Sequence, residues 1–256
     1  MFLPSFFFDL FLLYFVSLIQ VPDSFDGIPV KGYSLHWNDE FSGTSLNLKK
    51  WKYRNPGIRG DAFNSPETIF LNNNGQLVIE VKEKNNKVLA GMIDTEGYFS
   101  SRYGYFESRV KLSKTAGIWP AFWLQSSLNM DNGTPEKNGV EIDIFEYFIH
   151  NNLDSVTHSL HWSGYGKTHK VFGPFYSALQ KTSDGYHVFG LEWTPESYSI
   201  FVDGIKMHSG KQYISQVPQF IVLSMEVNEQ VVGKLNRKNL PDSFLVDYVR
   251  VYKKKN

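Results

Sequence analysis

Three carboxylates, Glu141, Asp143 and Glu146, fall close together in the stretch GVEIDIFEYF (139–148), each between apolar neighbours. Two acids held near each other can cleave a glycosidic bond. One protonates the leaving oxygen while the other attacks the sugar carbon or activates water. Val140, Ile142 and Ile144 alternate with Glu141 and Asp143, so a strand here has one apolar face and one face carrying two acids. The alternation slips at Phe145, and Glu146 arrives one position late. A β-bulge absorbs one extra residue and re-aims the residues beyond it, which returns Glu146 to the side of the other two. With the bulge counted as one step, the Cα atoms of Glu141 and Glu146 are on the order of 13 Å apart. Side chains leaning across Asp143 then bring the carboxyls to about 5 to 6 Å, the separation used for double displacement. Asp143 between them can share a proton with Glu141 and help keep Glu146 protonated. The plainer alternative is a solvated polar face. Three acids without an interspersed Lys, Thr or Ser repel one another and weigh against it.

These acids need a scaffold of strands, and the chain supplies one. Alternating runs at QLVIEVKE (76–83) and YGYFESRVKL (103–112) precede YHVFGLEWT, SYSIFVDG, QFIVLSMEV and FLVDYVRVY, with turns such as VDGIK and SDGY between them. No run of helical period and length stands out. Many antiparallel strands at short spacing predict an all-β fold, a β-sandwich or jelly roll. Residues 1–20 are almost wholly apolar and are expected to form a secretory signal or an uncleaved anchor, 21–32 a turn-rich linker, and 33–256 the folded domain. This predicts a secreted, periplasmic or cell-surface location, with a membrane involved only through such an anchor.

The chain has 256 residues, with 26 Lys plus Arg balanced by 26 Asp plus Glu, so no general attraction for nucleic acid is expected. The absence of cysteine excludes disulfides, thiolate metal sites and a cysteine nucleophile. Six Trp, fourteen Tyr and twenty-one Phe suit both a β core and stacking on sugar faces.

The acid-bearing segment EIDIFE resembles the active-site signature of glycoside hydrolase family 16 in its bulged, laminarinase-like form. RYGYFESRVKLSKTAGIWPAFWL resembles the two strands that precede that signature in the family. WNDEFSGTSLNLKKW, LHWSGYGKTHK and FLVDYVRVY are similar to its first strand, the strand after the acids and its closing strand. The resemblance covers roughly residues 35 to 252, in five ordered segments. It implies a jelly-roll sandwich of two curved antiparallel sheets (concanavalin A-like) with a concave substrate cleft. It also implies endo-acting, retaining hydrolysis of a β-linked polysaccharide, with β-1,3- or β-1,3(4)-glucan favoured, no catalytic cofactor, and a monomer. Carried over by position, Glu141 is the nucleophile, Glu146 the general acid/base and Asp143 the assisting carboxylate. A non-catalytic lectin-like sandwich, a galactan hydrolase and a transglycosylase are the alternatives on the same fold.

Other side chains are candidates for supporting roles. Trp119 and Trp123 stand four apart and face one side of a regular strand, where they either pack in the core or, as the resemblance implies, stack on sugars. His161 and Trp162 fall on the strand expected beside the acids, with His158 facing away, and His161 is suited to orienting a carboxylate or binding a hydroxyl. His169 is expected at the cleft rim. Glu226 interrupts an apolar run and either reaches the cleft or pairs with an arginine such as Arg102 or Arg109. The resemblance further implies a structural calcium for which Glu40 and Asp247 would be ligands, two of the six to eight oxygens such an ion takes.

Overall fold

The computed structural model describes residues 27–148, 155–182 and 184–255; the apolar segment at 1–20 and the linker up to residue 26 lie outside the described residues. The first strands are β1 (Tyr33–Asp39), β2 (Lys52–Tyr53), β3 (Gly57–Arg59), β4 (Ala62–Asn64), β5 (Ile69–Leu71), β6 (Leu77–Lys84) and β7 (Lys87–Asp94). The middle of the chain forms β8 (Gly104–Lys111), β9 (Trp119–Gln125), β10 (Glu141–Tyr147), β11 (Ser155–Trp162) and β12 (Lys170–Ala178). The last are β13 (His187–Trp193), β14 (Tyr198–Val202), β15 (Ile205–Gly210), β16 (Phe220–Glu226) and β17 (Asp242–Lys254). The two α-helical turns among the described residues, Pro135–Asn138 and Glu229–Val232, have four residues each. The protein is an all-β jelly roll, as the strand pattern predicts.

β17 organises one sheet, pairing with β6 and β1 on one side and β8 on the other, and the sheet continues through β13, β14 and β15. The other sheet runs β2–β7–β16–β9–β10–β11–β12. The β6–β7 hairpin joins them, because Leu77–Val81 pairs within the first sheet while Lys82–Lys84 folds onto the start of β7. The chain thus curves its sheets around one core rather than leaving two open faces.

The apolar faces meet between the sheets. Phe145, the residue that breaks the alternation in sequence, is fully buried there. Its ring lies 4.1 Å from that of Phe189 and 6.0 Å from that of Phe244, both on the opposite sheet. Burying an aromatic ring of this size is worth about 1.5 to 3 kcal/mol, enough to hold a local backbone irregularity in place. The opposite face of the second sheet is concave and carries a smaller cluster of Met92, Ala121, Trp123, Phe220 and Val222.

Candidate active site

The register of β10 shows how the three acids come together. Against β9, Asp143 pairs with Trp123 but Phe145 with Phe122, so two steps on β10 match one on β9. Against β11, Asp143 pairs with Ser159 and Glu146 with Thr157. Ile144 is the extra residue of a bulge, and both it and Phe145 turn inward to the core. Glu146 is thereby returned to the concave side. Rows then cross the sheet: Ser224, Ala121 and Glu146; Val222, Trp123 and Asp143; and, at the end of the strand, Glu141 beside His161.

A second device holds the bulge. His158, on the core side of β11, places Nδ1 2.6 Å from the carbonyl oxygen of Ile144 and Nε2 2.8 Å from Ser177 Oγ. A bulge leaves its extra residue without a regular ladder partner, and the imidazole supplies one. Burial pushes His158 down to about 4, so the ring is neutral and Nδ1–H donates. In His158→Phe, the Ile144 carbonyl and the Ser177 hydroxyl lose this partner while buried, at about 1 to 3 kcal/mol each. Thermal unfolding should fall by several degrees, and kcat should fall by up to ~100-fold with little change in KM, because the bulge aims Glu146. Unchanged kcat in a folded His158→Phe variant would show that the bulge holds without it.

The acids line a cleft of about 640 Å³ together with Trp119, Trp123, His161, His169 and Glu226. Trp119 and Trp123 share one side of β9, as their spacing predicts. Trp123 is fixed by an Nε1–H bond of 3.1 Å to Ser224 Oγ, and Trp119 is more open. His161 Nε2 stands 3.2 Å from Asp143 Oδ2, and its Nδ1 lies 2.9 Å from His169 Nε2.

The electrostatics of the cleft come from burial and crowding. Burial, then the charge of Asp143, pushes Glu141 up to about 8. Burial pushes Asp143 up to about 8. Glu146 is held well above the usual carboxylate range by burial, then by the charges of Asp143 and Glu141. Glu141 has two donors aimed at one oxygen: the Tyr165 hydroxyl and Gln125 Nε2 both donate to its Oε2. Such donors favour the ionised form. The donors offset part of the rise at Glu141, while burial and two neighbouring charges hold the proton on Glu146, so the two environments differ in the sense that paired-acid chemistry needs.

Several expectations need correction. Trp162 does not reach the cleft: it lies on the other side of β11, is 6% exposed in the main core and stacks on Tyr213 at 4.3 Å. It neighbours His161 in sequence, and strand alternation sends the two to opposite faces. Glu226 does line the cleft, but its partner is neither Arg102 nor Arg109. Arg59 from the β3–β4 hairpin donates through Nε at 2.5 Å and Nη2 at 3.2 Å. Arg109 instead pairs with Asp184 and Asp247, and Arg102 lies over the Tyr103 ring. Glu40 forms a two-bond pair with Arg250 at 2.9 and 2.8 Å, and Asp247 meets Arg109 Nη1 at 2.8 Å. Among the described residues, no cluster of three His, Asp or Glu ligands includes either acid. Each of the two acids is paired with an arginine, Glu40 with Arg250 and Asp247 with Arg109.

Sequence reasoning also missed residues. Asp94, fully buried, holds Arg54 Nη1 at 2.9 Å, and Arg54 Nη2 donates to the Gln125 amide oxygen. That contact turns the Gln125 amino group toward Glu141 and Tyr165. Arg54 comes from the segment after β2 and Tyr165 from the β11–β12 loop. No local pattern marks either, because their partners are far away in the chain.

The glycosyl hydrolases family 16 model matches residues 60–250. Glucan endo-1,3-beta-glucosidase A1 of Niallia circulans is 27% identical over 88% of this chain and 38% of that protein. Keratan-sulfate endo-1,4-beta-galactosidase of Sphingobacterium multivorum is 27% identical over 86% of this chain and 55% of its own length. The chain thus spans from about two fifths to just over half of these relatives. The laminarinase catalytic domain from Thermotoga maritima MSB8 superposes with a TM-score of 0.74 at 26% identity, covering 88% of this chain and 100% of that one. With a family match that takes in the bulged acid strand and most of both sheets, the chain belongs to glycosyl hydrolase family 16.

Proposed function

We propose that this protein is an endo-acting, retaining β-glycosidase that cleaves internal linkages of a β-1,3- or β-1,3(4)-glucan by double displacement. The observation that carries this reading is the β10 bulge, which aims Glu141, Asp143 and Glu146 into one cleft floored by Trp119 and Trp123. Glu141 attacks the anomeric carbon while Glu146 protonates the departing oxygen. A glycosyl ester forms on Glu141, and Glu146, now ionised, takes a proton from the incoming water. A sugar hydroxyl in place of that water gives transglycosylation through the same ester. Asp143, which faces His161, limits how much negative charge the pair carries together. The tryptophan rings offer flat apolar faces to the sugars. Likeness to an endo-1,3-β-glucosidase and a laminarinase supports the glucan assignment, and the apolar segment at the N-terminus supports export.

Two bond-forming steps at one carbon invert it twice. NMR of a fresh laminarin digest should therefore show the β anomer first, with α signal growing later by mutarotation. Initial α product would contradict the double displacement.

One observation favours a second substrate class. Arg54 and Arg59 both line the cleft, which suits an anionic galactan of the kind named in the Sphingobacterium relative. Each guanidinium is already paired with a carboxylate, Asp94 or Glu226, which favours the neutral glucan. Reducing-sugar release from laminarin, lichenan and keratan sulfate separates the two, and release from keratan sulfate alone would overturn the glucan reading.

A further inference from the structure

Asp143 is 4% exposed, yet its Oδ2 is buried without a hydrogen-bond partner. That oxygen faces His161 Nε2 at 3.2 Å without the alignment of a hydrogen bond. Glu141 stands on the same face of β10, and both of its donors, Tyr165 and Gln125, take Oε2 and leave Oε1. One ligand atom from each of Glu141, Asp143 and His161 falls within 4.8 Å of the others.

The imidazole is also held as a metal-binding imidazole is held. Such a ring gives its second nitrogen to an outer partner that fixes its tautomer and direction. His161 Nδ1 meets His169 Nε2 at 2.9 Å, with the two rings parallel to within 1°. When His161 donates from Nδ1, its Nε2 lone pair points at the bare Asp143 oxygen. A cation between them takes the Nε2 lone pair and gives the unpartnered Oδ2 a partner.

We propose that Glu141, Asp143 and His161 form a binding site for a divalent transition-metal cation of the zinc class, and that the ion competes with polysaccharide for the cleft. The donor set selects this class. One imidazole and two carboxylates are ligand types zinc accepts, and three of them leave the open fourth position of a catalytic-type zinc site. Calcium needs six to eight oxygens and magnesium a near-ideal octahedron of them, so neither suits it. Zinc bonds of about 2.0 to 2.2 Å draw tetrahedral donors to roughly 3.4 Å apart, so the side chains close in by an ångström or so. Glu141 and His161 are both partly exposed and have room for that movement. With the ion in place, the Glu141 oxygen is no longer free to attack a sugar. Binding stands on the geometry alone, while the competition rests on the function proposed above.

Isothermal titration calorimetry with zinc chloride on the full chain tests the site. One equivalent should bind to the wild type, and calcium or magnesium at the same concentration should give no heat. His161→Gln removes a ligand and should weaken zinc binding by at least 100-fold. His169→Gln, which alters only the outer partner of an exposed pair, should weaken it by about 10 to 100-fold. His169→Gln decides the matter if His161→Gln fails to fold. Zinc should also raise the apparent KM for laminarin without changing kcat. No binding to the wild type, or affinity unchanged in the folded variants, overturns the site; inhibition that lowers kcat at constant KM overturns the competition. A wild type that binds zinc but hydrolyses nothing would sink the proposed function and leave the metal site standing.

Discussion

Glu141→Gln should abolish glucan hydrolysis, lowering kcat by on the order of 10⁴-fold, or about 5 kcal/mol of transition-state stabilisation. The substitution keeps shape and hydrogen bonding: an amide oxygen at the Oε2 position can still accept from Tyr165 and Gln125. Folding and oligosaccharide binding should therefore persist, and calorimetry with a laminari-oligosaccharide should give a Kd near that of the wild type. This separates the enzyme from a lectin-like sandwich, in which wild type and variant would bind alike and neither would release reducing sugar. A smaller side chain sharpens the assignment. In Glu141→Ala, azide can occupy the vacated space and attack the anomeric carbon once, on the face opposite the leaving group. The product should be an α-glycosyl azide. If Glu141→Gln retains more than a tenth of wild-type kcat, Glu141 is not the nucleophile.

The acids are legible in sequence because their chemistry disturbs a local rule. Strand alternation fails at Phe145, and the structure gives the reason: Ile144 and Phe145 both turn into the core, which only a bulge allows. The same alternation locates Trp119 and Trp123 correctly, and applied to β11 it sends Trp162 to the face opposite His161. Other features have no local signature. β12 (Lys170–Ala178) shows no clean alternation, because it is an edge strand with most of its residues exposed. Strand pattern offers Arg102 and Arg109 as partners for Glu226, whereas Arg59 arrives from a hairpin 167 residues away in the chain. The Arg54–Gln125–Glu141 chain and the grip of His158 on Ile144 likewise depend on which strands become neighbours. Pattern locates the groups that react; topology supplies the groups that hold them.

Glu146→Ala should show a different defect, and the difference identifies the acid. Loss of a positioned proton donor costs about 10² to 10⁴-fold in the cleavage of a natural linkage. A β-glycoside with a dinitrophenolate leaving group departs without protonation, so its glycosylation step should be nearly unaffected. The glycosyl ester on Glu141 then accumulates, because no base activates water. Azide needs no base and should accelerate turnover, entering on the face from which the leaving group left and giving a β-glycosyl azide. The pH profile should change in a defined direction. Glu146 must be protonated to act as acid, and burial with two neighbouring charges raises its pKa. Activity should therefore persist at pH values where an ordinary carboxylic acid is ionised, and fall as pH rises through the raised pKa of Glu146. Glu146→Ala should remove that alkaline fall when assayed on the activated glycoside. The opposing acid-side fall, set by Glu141 with Asp143, should remain, since Glu141 must be ionised to attack. An alkaline limb that survives Glu146→Ala, or an α-configured azide product from it, would assign the proton donor elsewhere.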